Sequence, residues 1–140
     1  MKSVLIVEDD KDLAFLYNLA FKIGKHYQVV GTVSNGLEAV NFLEERIKSG
    51  NELPDIVMID YRMPLMDGLT VIAWIRETYG EKILIILVTA DPYAMKAADQ
   101  AGLRIDGYLK KPFKLSEMWE QMNHITGMAA IKTIPGISPP

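Results

Sequence analysis

Short apolar runs recur along this chain, separated by segments whose apolar residues follow helical spacing. Ser3-Val-Leu-Ile-Val7, Asp55-Ile-Val-Met-Ile-Asp60 and Ile83-Leu-Ile-Ile-Leu-Val88 are the clearest, and together with shorter runs they predict strands near 3–7, 28–33, 55–60, 83–88 and 106–109. Such runs are rich in β-branched residues, and with helical segments between them they are the mark of a parallel sheet covered on both faces.

The intervening segments predict five helices. Leu13, Leu16, Tyr17, Ala20 and Phe21 form a stripe at i, i+3, i+4, i+7 and i+8 that ends before Gly24, the expected C′ residue. Ala39, Val40, Leu43 and Ile47 form a second stripe, and Gly68, Val71, Ile72, Ile75 and Tyr79 a third, closed by Gly80. The fourth helix is expected to start at Asp91-Pro92, an N-cap followed by proline, and to run to Ala101-Gly102 with an inward face of Ala94, Ala97, Ala98 and Ala101. So small a face buries little area, which marks this helix as the least firmly docked. Leu115, Met118, Met122 and Ile125 form the fifth stripe; Trp119 stands one step off it and is expected to be half-exposed.

The ends of the strands carry the chemistry. The first predicted strand runs into Glu8-Asp9-Asp10, the third closes on Asp60, the fourth stops at Thr89-Ala90 and the fifth at Lys110-Lys111-Pro112-Phe113. In an open parallel sheet with right-handed crossovers, ligands sit at the carboxyl ends of the strands where the strand order reverses. Three or four carboxylates converging there would raise one another's pKa, a cost that a hard divalent cation removes. Mg²⁺ takes one or two carboxylates, several waters and a phosphate oxygen, and an Asp carboxylate can itself be the nucleophile that becomes an acyl phosphate. Each of these residues taken singly has an ordinary reading as a solvated turn, strand end or surface charge. Their coincidence carries the argument.

Bulk properties narrow the function. The 140 residues suit one domain with a sizeable core, and 15 Lys+Arg against 18 Asp+Glu give a net charge of −3, so there is no basic field for direct nucleic-acid binding. No cysteine is present, which removes disulfides, thiolate metal sites and thiol nucleophiles. The first apolar run is too short for a signal peptide or a membrane span, so no membrane insertion and a cytoplasmic location are expected. A dinucleotide-binding fold is excluded by the lack of a Gly-rich turn after the first strand.

In order and spacing, Glu8-Asp9, Asp60 with Met63-Pro64 and Asp67-Gly68, Thr89-Ala90, and Lys111-Pro112-Phe113 resemble the receiver domain of two-component response regulators over about residues 2–126. The resemblance implies a flavodoxin-like, doubly wound α/β fold: a five-stranded parallel sheet of order 2-1-3-4-5 with five helices. It implies that Asp60 is the phosphoacceptor and that Mg²⁺ is the cofactor. Asp9 and Asp60 would be direct ligands, Glu8 would act directly or through water, and the backbone carbonyl of Arg62 would complete the protein's share. Thr89 matches the switch hydroxyl, Lys111 the ammonium that pairs with a phosphoryl oxygen, and Tyr108 the rotating aromatic. The Lys111-Pro112 bond is expected to be cis, and Asp10 to be an N-cap or a variable third acid. Lys114 departs from the acid often found after Lys-Pro-Phe.

The function these residues imply is a single-domain response regulator that takes a phosphoryl group from a sensor histidine kinase or phosphotransfer protein and thereby changes its protein contacts. Residues 1–126 would be the receiver and 127–140 a tail without an effector domain, either docked, in an oligomer contact or frayed. The signal would leave to a downstream protein or to a second copy, as a weak homodimer, over the face carrying Lys96, Asp99, Arg104, Lys110, Glu117 and Trp119. No dedicated enzyme activity is expected beyond assistance to its own phosphorylation and dephosphorylation. Two alternatives stand beside it. One is a pseudo-receiver binding module, which would usually lack one of Asp9, Asp60, Thr89 or Lys111. The other is an Mg²⁺-dependent aspartyl phosphatase, in which a second Asp would be expected where Arg62 stands. His26 and His124 have no phosphodonor role, and Met63 and Met66 are expected to pack.

Overall fold

Apolar residues on successive positions of three central strands bury both faces of a parallel sheet, in a computed structural model that describes residues 1–127. The strands are β1 (Lys2–Val7), β2 (Tyr27–Val33), β3 (Ile56–Asp60), β4 (Leu84–Thr89) and β5 (Gly107–Lys110). They alternate with helices α1 (Lys11–Gly24), α2 (Gly36–Lys48), α3 (Gly68–Tyr79), α4 (Ala94–Gln100) and α5 (Leu115–Thr126). The sheet order is β2-β1-β3-β4-β5, all parallel, which is the doubly wound order expected. The tail from 128 onward lies outside the described residues.

Successive strand residues point to opposite faces, and two cores follow. Val4, Ile6, Ile56, Met58, Ile86 and Val88 pack with Tyr17, Ala20 and Phe21 of α1 and Met118, Trp119 and Met122 of α5. Leu5, Val7, Val57, Ile59, Ile85 and Leu87 face Leu43 of α2, Val71, Ile72 and Ile75 of α3 and Ala94 of α4. The register sets Val7 beside Ile59, Asp60 beside Val88 and Thr89 beside Lys110. Residues just past these positions therefore meet at one edge.

Several helix expectations are corrected. Leu16 and Ile47 lie outside the buried stripes, each 51% exposed, because burial on α1 follows Ala14, Tyr17, Ala20, Phe21 and Gly24, and on α2 stops at Leu43. Gly24 is not the C′ residue: Lys25 takes the left-handed φ of 61°, and Gly24 is the last, buried helical residue. A Cβ at Gly24 would come within 1.8 Å of the Trp119 ring, so glycine is required there by close approach and not by backbone freedom. The fourth helix starts at Ala94, not at Asp91-Pro92, since Asp91 turns the chain first by accepting from the Tyr93 N–H. Its Ala94 and Ala98 are buried and Ala101 is exposed. Leu115 is exposed at the start of α5.

Trp119 is buried, only 4% exposed, and cannot form part of an exposed contact face. Its ring meets Phe21 edge-on at 5.9 Å and Tyr27 at 5.7 Å.

Candidate functional site

Each functional side chain stands on the residue where a strand gives way to a loop. Glu8 leaves β1 with its backbone N–H donated to the Val33 carbonyl (3.0 Å), and its side chain is buried. Its Oε2 accepts from the Asp10 N–H at 3.1 Å, and its Oε1 from Lys111 Nζ at 2.8 Å. Asp10 turns away from the cluster and caps α1, accepting from the N–H groups of Asp12 and Leu13. Asp9 between them is exposed.

Asp60 closes β3 and is buried, with Oδ1 3.3 Å from Lys111 Nζ. The next residue, Tyr61, pairs back onto β4 through Val88 (3.0 Å), and Gly68 donates to the Tyr61 carbonyl at 2.8 Å. A Cβ at Gly68 would lie 2.4 Å from the Asp60 carbonyl oxygen, so only glycine lets α3 start this close behind the site. Met63 and Met66 of the intervening loop pack against the α2–α4 core, as expected. Lys111 reaches the two acids from the end of β5, and its bond to Pro112 is cis.

One ligand oxygen from each of Glu8, Asp9 and Asp60 lies within 4.8 Å of the others. Three carboxylates thus face a single ammonium, which leaves an excess negative charge of the size a divalent cation balances. Burial raises the Glu8 pKa, opposed by the Lys111 hydrogen bond and the Asp10 N–H. Burial likewise raises that of Asp60, against the attraction of Lys111. For Lys111 burial acts the other way, but the hydrogen bond to Glu8 and the charge of Asp60 outweigh it and hold the ammonium above its ordinary value. The all-oxygen donor set, buried on two of its three members, suits a hard cation that keeps part of its water shell.

An open cleft of about 400 Å³ adjoins these groups, lined by Asp60, Arg62, Thr89, Ala90, Asp91, Pro92 and Lys111. Thr89 is buried at the end of β4, and its Oγ1 accepts from the Asp91 N–H at 2.9 Å. Tyr108 is half-buried one strand over, with its ring in the α2–α4 core and its N–H donated to Gln121 Oε1 at 3.3 Å. The fold therefore gathers Glu8, Asp9, Asp60, Thr89 and Lys111, and places Tyr108 behind them.

Two features were not read from the sequence. Arg62 donates to Asp91 Oδ2 at 2.5 Å, an ion pair that spans the cleft mouth between the loops after β3 and β4. Asp91 had an apparent role as a helix cap, and nothing in the spacing of 62 and 91 signals the pairing. Tyr17 of α1 stacks on Phe113 at 5.7 Å, and burial followed by the charges of Glu8, Asp60 and Asp10 pushes its phenol pKa up. Its place in a helical stripe gave no hint of the acids nearby.

Comparison with known proteins agrees with this geometry. The family model of the response regulator receiver domain matches residues 4–123. Chemotaxis protein CheY of Halobacterium salinarum is 31% identical over 126 residues, covering 89% of this chain and 96% of that protein. The probable C4-dicarboxylate response regulator DctR of Priestia megaterium is 34% identical over 118 residues, 83% of this chain and 48% of its own, so the chain spans about half the length of that relative. The crystal structure of the receiver domain of a sensor histidine kinase from Pseudomonas aeruginosa, with a magnesium ion coordinated in its active-site cleft, superposes with a TM-score of 0.71 at 25% identity. That match covers 89% of this chain and 98% of the other.

Proposed function

The chain belongs to the response regulator receiver domain family, the signalling switches of two-component systems, and we propose that residues 1–126 are its receiver unit, with Asp60 as phosphoacceptor. The observation that carries this reading is the convergence of Glu8, Asp9 and Asp60 on one point with Lys111 Nζ against two of them.

In the proposed step an Asp60 carboxylate oxygen attacks phosphorus in a phosphohistidine of a sensor kinase or phosphotransfer protein. The O–P bond forms as the N–P bond breaks, and the imidazole leaves with a proton in place of the phosphoryl group. Glu8, Asp9, Asp60 and the Arg62 carbonyl would hold Mg²⁺, which supplies positive charge against the phosphoryl oxygens. Lys111 pairs with one phosphoryl oxygen, and the Thr89 hydroxyl donates to another. The new group brings about −1.5 to −2 charges where Asp60 had one.

Thr89 links the site to the rest of the molecule. Its Oγ1 holds the Asp91 N–H, at the loop that leads into α4, so drawing Thr89 toward a phosphoryl group pulls on that loop and frees space toward Tyr108. This biases a two-state segment. Output then passes to a kinase, a downstream protein or a second copy through the α4–β5–α5 side, where Lys96, Asp99, Lys110 and Glu117 supply mixed charge. Arg62, in place of a second Asp, weighs against a phosphatase, and the full set of Asp9, Asp60, Thr89 and Lys111 weighs against a pseudo-receiver. Among the described residues no helix is long and apolar enough to cross a membrane.

Beryllofluoride, a phosphoryl mimic, tests the assignment. With Mg²⁺ it should give a bound fluorine signal in the wild type and none in Asp60→Asn. A bound signal in that variant would remove Asp60 from the role.

A further inference from the structure

Lys111 holds its ammonium between two carboxylates, 2.8 Å from Glu8 Oε1 and 3.3 Å from Asp60 Oδ1, and does so from the loop that follows β5. A lysine stem is flexible and has no preference of its own for one place. The position of the ammonium therefore depends on what fixes the backbone of that loop.

Two contacts fix it. On one side the Lys111 N–H donates to the Thr89 carbonyl at 2.8 Å, which extends the pairing of β4 with β5. On the other, Phe113 stacks on Tyr17 of α1, with ring centroids 5.7 Å apart and planes 18° from parallel. Pro112, Lys114 and Leu115 are exposed, whereas Phe113 is half-buried and packs against the core cluster that contains Tyr17. Beside the ring pair lies a hollow of about 390 Å³ bordered by Leu13, Leu16, Ala90 and Lys111. The stack is thus the loop's main brace on the α1 flank.

Tyr17 is well anchored for this. It is 5% exposed, and the helix that carries it starts at Lys11, straight after Glu8, Asp9 and the capping residue Asp10. The charges of Glu8, Asp60 and Asp10 reach its phenol. The ring pair therefore ties the segment that bears two of the acids to the segment that bears the lysine.

We propose that Tyr17 is a positioning residue for phosphorylation: by stacking on Phe113 it fixes the loop that carries Lys111, and so sets where the ammonium stands between Glu8 and Asp60. The proposal rests on the reading of Asp60 as phosphoacceptor. It assigns the effect to the ring and none to the hydroxyl.

Phosphorylation of the full chain by acetyl phosphate with Mg²⁺, followed by intact mass on folded variants, tests it. Tyr17→Leu keeps an apolar side chain and removes the ring. It should slow the reaction about tenfold or more, since a misplacement of ~1 Å can cost ~100-fold. Tyr17→Phe, which keeps the stack, should react within about twofold of wild type. Phe113→Leu, at a half-buried position, removes the same contact from the other side and should match Tyr17→Leu.

Urea unfolding adds a readout that a role in packing alone would not move. Lys111→Met should lower the midpoint less in Tyr17→Leu than in the wild type, because the ammonium has already left the acids there; independent contributions would simply add. Additive losses would overturn the proposal, as would a Tyr17→Phe as slow as Tyr17→Leu. A slow Lys111→Met beside a Tyr17→Leu that reacts at the wild-type rate would overturn this proposal alone. A Lys111→Met that reacts at the wild-type rate would overturn the role of Lys111 at the site and this proposal with it.

Discussion

Lys111 Nζ lies 2.8 Å from Glu8 Oε1, joining residues 103 apart in the sequence, and this contact is shorter than the 3.3 Å from the same nitrogen to Asp60. The ammonium is therefore shared between the two carboxylates, and its nearer partner is Glu8. An arriving phosphoryl group would draw Lys111 from Glu8, leaving that carboxylate to the cation.

Lys111→Met should destabilise the protein in the absence of added metal, because Glu8 and Asp60 lose the ammonium they share. Breaking a fully buried pair costs ~3–5 kcal/mol; this one is partly solvated, so the expected loss is ~1–3 kcal/mol. Urea unfolding would show it, and added Mg²⁺ should recover part of it. A midpoint equal to wild type would mean that the ion pair does not hold the site.

Asp60→Asn should act in the opposite direction. Burial places the Asp60 pKa above its unfolded value, so the native state holds its proton more tightly than the unfolded chain. The resulting cost is fully present above the raised native pKa and vanishes below the unfolded one. The variant is expected to gain ~0.5–2 kcal/mol near neutral pH without metal. The gap should close as pH falls through the raised pKa into the ordinary carboxylate range, and a gap that widens with acidity would contradict this sign.

Asp9→Asn tests the cation site. Asp9 is exposed and without a role in the helix cap, so its loss should leave folding intact. One charge contact at ~4 Å is worth ~1–4 kcal/mol between bulk-water and near-surface dielectrics, so Mg²⁺ affinity should fall at least about fivefold. Calorimetric titration gives the number. Equal affinity would remove Asp9 from the ligand set.

Thr89→Ala should separate phosphorylation from its consequences. With beryllofluoride and Mg²⁺, hydrogen exchange in the wild type should change most over residues 89–110. In the variant the change should retreat to residues 60–68, around the acceptor. An unaltered pattern would show that the signal bypasses the Thr89–Asp91 contact.

Much of this was legible in the sequence, for definite reasons. The three central strands, buried on both faces, read as unbroken apolar runs, the edge strands β2 and β5 as shorter ones, and a carboxylate ending such a run, as Asp60 does, has no packing explanation. Helix faces were harder to read. Leu16 and Ile47 satisfy helical spacing and are exposed all the same, because spacing names a stripe without saying how wide the neighbouring sheet is. Gly24 resembled a cap since glycine usually serves chain reversal, yet the indole of Trp119 fills the space a side chain would take. The Arg62–Asp91 pair joins two loops 29 residues apart, and no local pattern encodes a contact between loops.

The central claim is that Asp60 takes the phosphoryl group with the aid of a divalent cation. Intact-mass spectrometry after treatment with acetyl phosphate tests it most directly, on wild type with and without Mg²⁺ and on Asp60→Asn with Mg²⁺. One added phosphoryl group should appear in the wild type with Mg²⁺, little without it, and none in the variant. Stoichiometric phosphorylation of Asp60→Asn, or equal phosphorylation of the wild type with and without Mg²⁺, would contradict the account.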